Sequence, residues 1–574
     1  MEETRFVDLY TAEGERLSGT PWEVYPRPQM RRDSFFYLNG EWEFSVTVED
    51  TPPEQYPQTI RVPFPPQSLL SGVHQACPEE QYLFYRKSFA RPEGFESGRV
   101  LLHLGAVDQI ADVWLNGTYL GQHIGGYAPF SFEVTDVLEA ENTLLVRVAD
   151  HMSSFVLPYG KQCNKRGGMW YTPVSGIWQT VWLERVPKRF MEQIEIETGL
   201  HWAEIVVKGD VPDGRVVVKT PEGEREFPLV SGKARVELEQ PRLWSPEEPY
   251  LYHCEIYAGE DRVSTYFALR TLTREKINGV WRLCLNGKPY FFHGVLDQGY
   301  WSDGLFTPAH PSCYEKDILA MKSLGFNTLR KHIKIEPEQF YYDCDRLGMI
   351  VFQDMVNNGD YNFLRDTALP TIGWKKRNDR WMHRDQKTRA AFVQAMEQTV
   401  MQLKNHPCIC YWTVFNEGWG QFESTKAYRK MKELDPTRFV AGVSGWFKGG
   451  ESDILTEHVY FKPFRPVVGD RPLVLSEFGG YAYQCEGHIF NPENEYGYRK
   501  YDNQKDFVAG LVELYEKEII PAVKQGLCGA IYTQLSDVED ETNGLLTYDR
   551  KVCKVDTETL LTIAGRLQEE CQKL

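Results

Sequence analysis

Hydrophobic and polar positions along this 574-residue chain change rhythm twice. In residues 1–186, apolar and polar residues alternate in short runs closed by turn formers, the period-two pattern of half-buried strands. Stretches 101–104, 131–134, 144–148 and 176–184 are such runs. Two Asn-Gly pairs, Asn39-Gly40 and Asn116-Gly117, stand between strand-like flanks and predict tight hairpins. The expectation is a β-sandwich of jelly-roll type. Across 187–273 the same alternation continues in shorter strands, which predicts an immunoglobulin-like β-sandwich without a disulfide.

From 274 to 574, strand-like runs alternate with helical stretches. Runs at 290–294, 327–330, 350–354, 409–416, 439–442, 457–460, 472–477 and 530–533 predict eight strands. Helical patterns at 313–325, 338–347 and 384–404 fall between them. That repetition predicts a (β/α)₈ TIM barrel, so the chain as a whole is multidomain.

Two barrel runs end in chemistry. Residues 409–416 are apolar, β-branched and aromatic up to Asn416-Glu417-Gly418, and 472–476 lead in the same way to Glu477-Phe478-Gly479-Gly480. Parallel barrels gather the C-terminal tips of their strands into one pocket, so the two carboxylates are expected to face each other. A facing pair of this kind is what hydrolysis of a glycosidic bond requires: one acid protonates the departing oxygen, and the other attacks the sugar carbon or activates water. The residues alone leave the two roles unassigned.

Composition narrows the classes. A net charge of −17 disfavours a nucleic-acid or anionic-membrane surface, and 13% aromatic residues allow large cores as well as platforms for sugar faces. The N-terminus has no basic region followed by an apolar core, and no apolar run approaches the roughly 20 residues that span a bilayer. The chain is therefore expected to be soluble and cytoplasmic. Twelve cysteines are scattered without a paired framework, so reduced, packed thiols are expected. Cys408-x-Cys410 lacks a second ligand pair, and the histidines lack His-x-x-x-His spacing, so neither a metal nor a cofactor is expected.

Further motifs carry a resemblance. Asn405-His406-Pro407, then Tyr411-Trp412, then Asn416-Glu417 resembles the acid/base signature of glycoside hydrolase family 2, the family of β-galactosidases, β-glucuronidases and β-mannosidases. The segment 175–182 resembles the end of that family's sugar-binding domain, Gly294-Val295 its opening barrel strand, and 344–348 the helix before its third strand. The resemblance implies that Glu417 is the general acid/base and Glu477 the nucleophile of a retaining β-glycosidase acting on a chain end. Substrate contacts are expected at Asn416, His458 and His332, with Tyr460 and Arg330 holding the nucleophile, and Asp297 and Gln298 are candidates for a sugar contact because they follow strand one.

The chain also departs from the family pattern. The stretch 536–550, which corresponds to the Asn-x-Lys element that holds a uronate carboxylate in many β-glucuronidases, has acids where that lysine would stand. A neutral sugar, β-galactoside first, is therefore expected, with a β-glucuronide or arabinoside behind it; Lys331 or another domain remains as a source of cation. Strand eight ends in Tyr532-Thr533-Gln534 where relatives place a tryptophan, so the sugar platform is expected from Trp301, Trp419 or Trp446. The basic loop 161–168 is a candidate to overhang the barrel mouth. An inverting glycosidase and a non-catalytic carbohydrate-binding protein are the competing classes, and a homo-oligomer is compatible with the architecture.

Overall fold

The computed structural model describes residues 6–573 apart from 372, 375–377, 448–449 and 468. Residues 1–5, part of the stretch read for a leader, lie outside the described residues. The first sandwich has two antiparallel sheets. Phe35–Tyr37, Val181–Val186, Arg99–Leu104 and Phe130–Glu133 form one, in that spatial order. Gln58–Val62, Gly40–Thr47, Tyr82–Ala90, Glu141–Ala149, Ile110–Leu115 and Thr118–Ile124 form the other.

Asn116 and Gly117, at φ 51° and 78°, close the expected hairpin between Ile110–Leu115 and Thr118–Ile124. Asn39-Gly40 does not close one. Its flanks lie in different sheets, Phe35 pairing with Glu184 and Gly40 with Val62, so the pair carries the chain from one layer to the other. The crossing is fixed by Asn39, which accepts from the Val181 N–H and donates to the Pro21 carbonyl. Alternating flanks suit either arrangement, and the partner that decides between them is some 140 residues away.

The second sandwich packs Gln193–Thr198, Trp202–Lys208 and Lys233–Glu237 against a sheet of Gly223–Leu229, Gly214–Thr220, Tyr252–Ala258 and Asp261–Phe267. Alternate residues such as Ile205, Val216, Val218, Val236 and Ile256 point inward and form its core. All twelve cysteines are free thiols.

The barrel follows. Its strands are β1 (Phe292–Asp297), β2 (Thr328–Lys331), β3 (Ile350–Asp354), β4 (Ile409–Asn416), β5 (Phe439–Ser444), β6 (Leu455–Val459), β7 (Leu473–Gly479) and β8 (Leu527–Thr533). They form one parallel eight-stranded sheet in the order β5-β4-β3-β2-β1-β8-β7-β6. Helices α1 (Ser312–Ser323), α2 (Glu338–Leu347), α3 (Gln386–Leu403), α4 (Ser424–Leu434), α5 (Gln504–Leu514) and α6 (Thr557–Gln572) belong to the outer layer. Asp385, Asn503 and Asp556 cap α3, α5 and α6 by accepting from backbone N–H groups of the first turn. β1 to β5, β7 and β8 are buried along their whole length, as a parallel strand between an inner core and a helix layer should be. The barrel core continues into the first sandwich through Trp22, Phe64, Tyr127, Tyr171 and Trp178. Among the described residues no helix is long and apolar enough to cross a membrane.

Candidate active site

β4 delivers Glu417 and β7 delivers Glu477 to the same end of the barrel. Glu417 adopts a left-handed backbone with φ 49°, a conformation that costs a non-glycine residue about 1–2 kcal/mol. Its N–H donates to the Ser444 carbonyl at 3.1 Å, which ties it to β5. One carboxylate oxygen of each glutamate and one ring nitrogen of His458 lie within 4.8 Å of one another. His458 on β6 stands between the two, its Nδ1 2.7 Å from Glu417 Oε1 and 3.4 Å from Glu477 Oε2. The ring fits because residue 445 is a glycine at φ 80°; a Cβ there would meet His458 Nδ1 at 2.8 Å.

Arg330, at the tip of β2, is the hub beneath the pair. Its guanidinium donates to Glu477 Oε1 at 2.9 Å, Asn416 Oδ1 at 2.8 Å, Asp354 Oδ1 at 3.0 Å and the Ser476 carbonyl at 2.9 Å. Tyr460, just past β6, donates its hydroxyl to Glu477 Oε2 at 2.5 Å and stacks on Tyr498 with centroids 3.8 Å apart. Burial pushes the Glu477 carboxyl up, but His458, Arg330, His332 and the Tyr460 hydroxyl together hold it down, to about 2. The group is therefore ionised throughout the neutral range.

The other expected residues divide. Asn416 Oδ1 accepts from Arg330 and from the Ser444 hydroxyl, which leaves its buried Nδ2 without a partner. His332 gives Nδ1 to Asp354 at 2.8 Å, and burial followed by the field of Lys161 lowers its imidazole to about 4, so the ring is neutral. Trp446 meets the His458 ring edge-on at 6.4 Å. Asp297 is not brought into the pocket. It lies on the outer face of β1, bonded to Lys331 Nζ at 2.6 Å and to the Gly299 N–H at 2.9 Å.

Lys331 is therefore not a cation available to a substrate, since Asp297 and Glu336 hold it. Trp301 is also turned away, lying under the Arg550 guanidinium and against Tyr314. Of the three expected platforms, Trp419 and Trp446 stand by the pair.

Asp354 was not among the expected site residues, yet it bridges Arg330 and His332 while fully buried. The signal for it existed: it closes an apolar run at the tip of β3, as Glu417 and Glu477 close theirs. Tyr498 and Ser444 carried no such signal.

The first sandwich does overhang the mouth. The Tyr159 hydroxyl donates to the Gly359 carbonyl at 2.8 Å, and Tyr171 donates to Glu541 at 2.9 Å. Arg166 pairs with Glu539 at 2.6 Å and with Asp540. Trp170 stacks on Trp419 at 5.4 Å, with Lys161 Nζ 4.9 Å from the Trp419 ring centroid. Glu417, His458 and Glu477 are metal-ligand types, but Arg330 and Tyr460 already engage both oxygens of Glu477.

Comparison with known proteins follows the same lines. Three models match: the glycosyl hydrolases family 2 TIM barrel domain over residues 277–555, the glycosyl hydrolase 2 galactose-binding domain-like model over 71–172, and the glycosyl hydrolases family 2 model over 195–270. A β-galactosidase of Thermoanaerobacter pseudethanolicus is 24% identical over 416 residues, 66% of this chain and 51% of that protein. The chain thus spans about half the length of that relative. Human β-glucuronidase is 26% identical over 482 residues, 73% of this chain and 70% of that protein. Among solved structures, an uncultured Clostridium sp. β-glucuronidase superposes with a TM-score of 0.72 at 19% identity, covering 96% of this chain and 100% of that one. A β-galacturonidase from Eisenbergiella tayi bound to galacturonate gives 0.66 at 18% identity, covering 96% and 99%.

Proposed function

Because the chain belongs to glycoside hydrolase family 2, we propose that it is an exo-acting, retaining β-glycosidase that removes a terminal β-linked sugar by double displacement. The observation that carries this reading is the separation of the pair, with carboxylate oxygens of Glu417 and Glu477 within 4.8 Å of each other. Retaining enzymes hold the two carboxyl groups about 5–5.5 Å apart, whereas inverting ones open them to about 6.5–9.5 Å to admit a water. A pocket overhung by the first domain suits a chain end better than a chain interior.

The residues then take distinct parts. Glu477, ionised and aligned by Arg330 and Tyr460, attacks the anomeric carbon while Glu417 transfers its proton to the departing oxygen. The bond between sugar and Glu477 forms as the glycosidic bond breaks. Glu417, now a carboxylate, removes a proton from water, which attacks the same carbon and frees Glu477 with the β configuration restored. Asn416 Nδ2 has no protein partner and is the donor for the sugar 2-hydroxyl, which leaves that hydroxyl's own proton to donate, a bond that strengthens as positive charge develops on the ring. His332, neutral with Nδ1 donated to Asp354, has Nε2 left to accept from a sugar hydroxyl.

The relatives' names divide between β-galactosidase and β-glucuronidase. The acids after β8 do not weigh against an acidic sugar, because Glu539 and Asp540 pair with Arg166, and Asp537 with Lys554.

The test is hydrolysis of a panel of p-nitrophenyl β-glycosides by the wild type and by Glu477→Ala with and without azide. Turnover lost in the variant and rescued by azide as the α-glycosyl azide is expected. An inverted product from the wild type, or rescue giving the β-azide, would overturn retention through Glu477.

A further inference from the structure

The barrel mouth is rich in cations, and nearly all of them are engaged. Arg330 bonds Glu477 and Asp354, Lys331 bonds Asp297 and Glu336, Arg166 bonds Glu539 and Asp540, and Lys554 bonds Asp537. Lys161 differs. It is 8% exposed, and among the described residues no carboxylate lies within ion-pairing distance of its ammonium and no acceptor within hydrogen-bonding distance. What it has are aromatic faces, with Nζ 4.9 Å from the Trp419 centroid and 5.9 Å from that of Tyr171. Such contacts hold the ammonium in place while leaving its hydrogen-bonding capacity open to a ligand.

The position is built rather than incidental. The Lys161 carbonyl accepts from the Tyr171 N–H at 3.0 Å. The next residue, Gln162, donates to Asp108 and accepts from the Val174 N–H. Tyr171 is in turn anchored on Glu541. On the barrel side, the Trp419 N–H donates to the Asn416 carbonyl at 2.8 Å, beside the acid/base candidate. The ammonium is also close enough to His332 for its field to help lower that imidazole. Lys161 thus stands against Trp419 and Tyr171, with His332 and Glu541 within reach of its field.

Glu541 does not complete a pair with it. Its carboxylate accepts from Tyr171 and Gln534, and burial raises it above the ordinary glutamate range even though the field of Lys161 acts to lower it. A hydroxyl ligand would give the ammonium a hydrogen bond but no compensating charge. A carboxylate gives both.

We propose that Lys161, supplied by the first domain, is the carboxylate reader of the sugar pocket, and that the terminal sugar is a β-linked hexuronide. This rests on Glu417 and Glu477 being the reacting pair. The shared chemistry is a carboxylate at C5 of a pyranose, met by both glucuronate and galacturonate, which differ only at C4.

The experiment compares p-nitrophenyl β-D-glucuronide and β-D-galacturonide with the matched β-D-glucoside and β-D-galactoside, on wild type, Lys161→Met and Lys161→Arg. For the wild type, kcat/KM is expected to favour the uronide over its neutral counterpart, and the preferred member of each pair identifies the C4 configuration. Lys161→Met should lower the uronide-to-neutral ratio on the order of 100-fold, mainly through KM, while Lys161→Arg keeps part of the preference. Free uronate should also inhibit the wild type more strongly than the neutral monosaccharide, a readout that needs no variant. A wild type that prefers the neutral sugar, an equal loss on both substrates in Lys161→Met, or equal inhibition by the two monosaccharides would overturn the proposal. In each of those outcomes hydrolysis persists and the glycosidase reading stands; hydrolysis of no glycoside at all would overturn both.

Discussion

Removing the Tyr460 hydroxyl is the cleanest probe of how Glu477, the proposed nucleophile, is tuned. Tyr460→Phe keeps the ring stacked on Tyr498 at 3.8 Å and deletes one contact to Glu477 and one to Thr533. A hydrogen bond to a charged group contributes about 1.5–3 kcal/mol. At 1.36 kcal/mol per pKa unit, losing it raises the Glu477 carboxyl by about one to two units. In the wild type that carboxyl lies near 2, so its protonation lies below the range in which activity is measured. In the variant it enters that range from the acid side. Two effects are expected: a fall of about 10- to 100-fold in kcat/KM at pH 6 from the lost alignment, and a further fall between pH 6 and pH 4 that the wild type does not show. The assay is a pH profile of kcat/KM on whichever glycoside the wild type turns over best. A reduced rate with an unchanged acid limb would show that the hydroxyl does not act through Glu477, and an unchanged rate would show that the contact is not held in solution.

Two predictions concern stability. Asp297→Ala leaves Lys331 with Glu336 alone in a buried site, and breaking such a pair costs about 3–5 kcal/mol; the denaturation midpoint should fall while kcat/KM of the folded enzyme stays close to wild type, and a selective rise in KM instead would return Asp297 to the sugar site. Asp150, buried in the first sandwich with one oxygen bonded to Ser175, is raised by burial from 3.8 to about 6. Its folded value exceeds its unfolded one, so its contribution to stability is full below about pH 4 and is lost as pH rises through about 6. Asp150→Asn should flatten that part of the stability profile between pH 4 and 7 in chemical denaturation, and identical pH dependence in variant and wild type would refute the assignment.

What was legible in the sequence was the design of strand tips. An apolar run that stops at a carboxylate is visible in one dimension, and it located Glu417 and Glu477 at the ends of β4 and β7 before any coordinates. The same rule applied to β3 would have found Asp354. What failed was the assignment of faces. Neighbouring residues of a strand point to opposite sides, so Arg330 and Lys331 cannot both look into the barrel. Arg330 looks in, and Lys331 meets Asp297 behind the strands. Asp297 shares the face of His293, which packs outward against Tyr515. Choosing that face needs the partner strand and the helix layer, and those are set by tertiary contacts. The acids after β8 were misleading for the same reason, since their charge is met by Arg166 from nearly four hundred residues earlier in the chain.

That long-range pairing shows how the two domains make one site. The barrel alone supplies the facing carboxylates of Glu417 and Glu477, the Arg330 that bonds Glu477, and the unpartnered amide of Asn416. The wall beside Trp419 is shared, Tyr361 of the barrel meeting it edge-on while Trp170, Tyr171 and Lys161 come from the sandwich. The joint is not a loose flap. Trp178 and Tyr171 belong to the barrel's own hydrophobic core, and the Trp178 carbonyl accepts from the Thr307 hydroxyl at 2.5 Å. Burying residues of both domains in one core ties the position of Lys161 to the fold of the barrel. On the proposed reading, the strand tips of the barrel carry the chemistry, and the loop that the sandwich lays across them carries the choice of sugar.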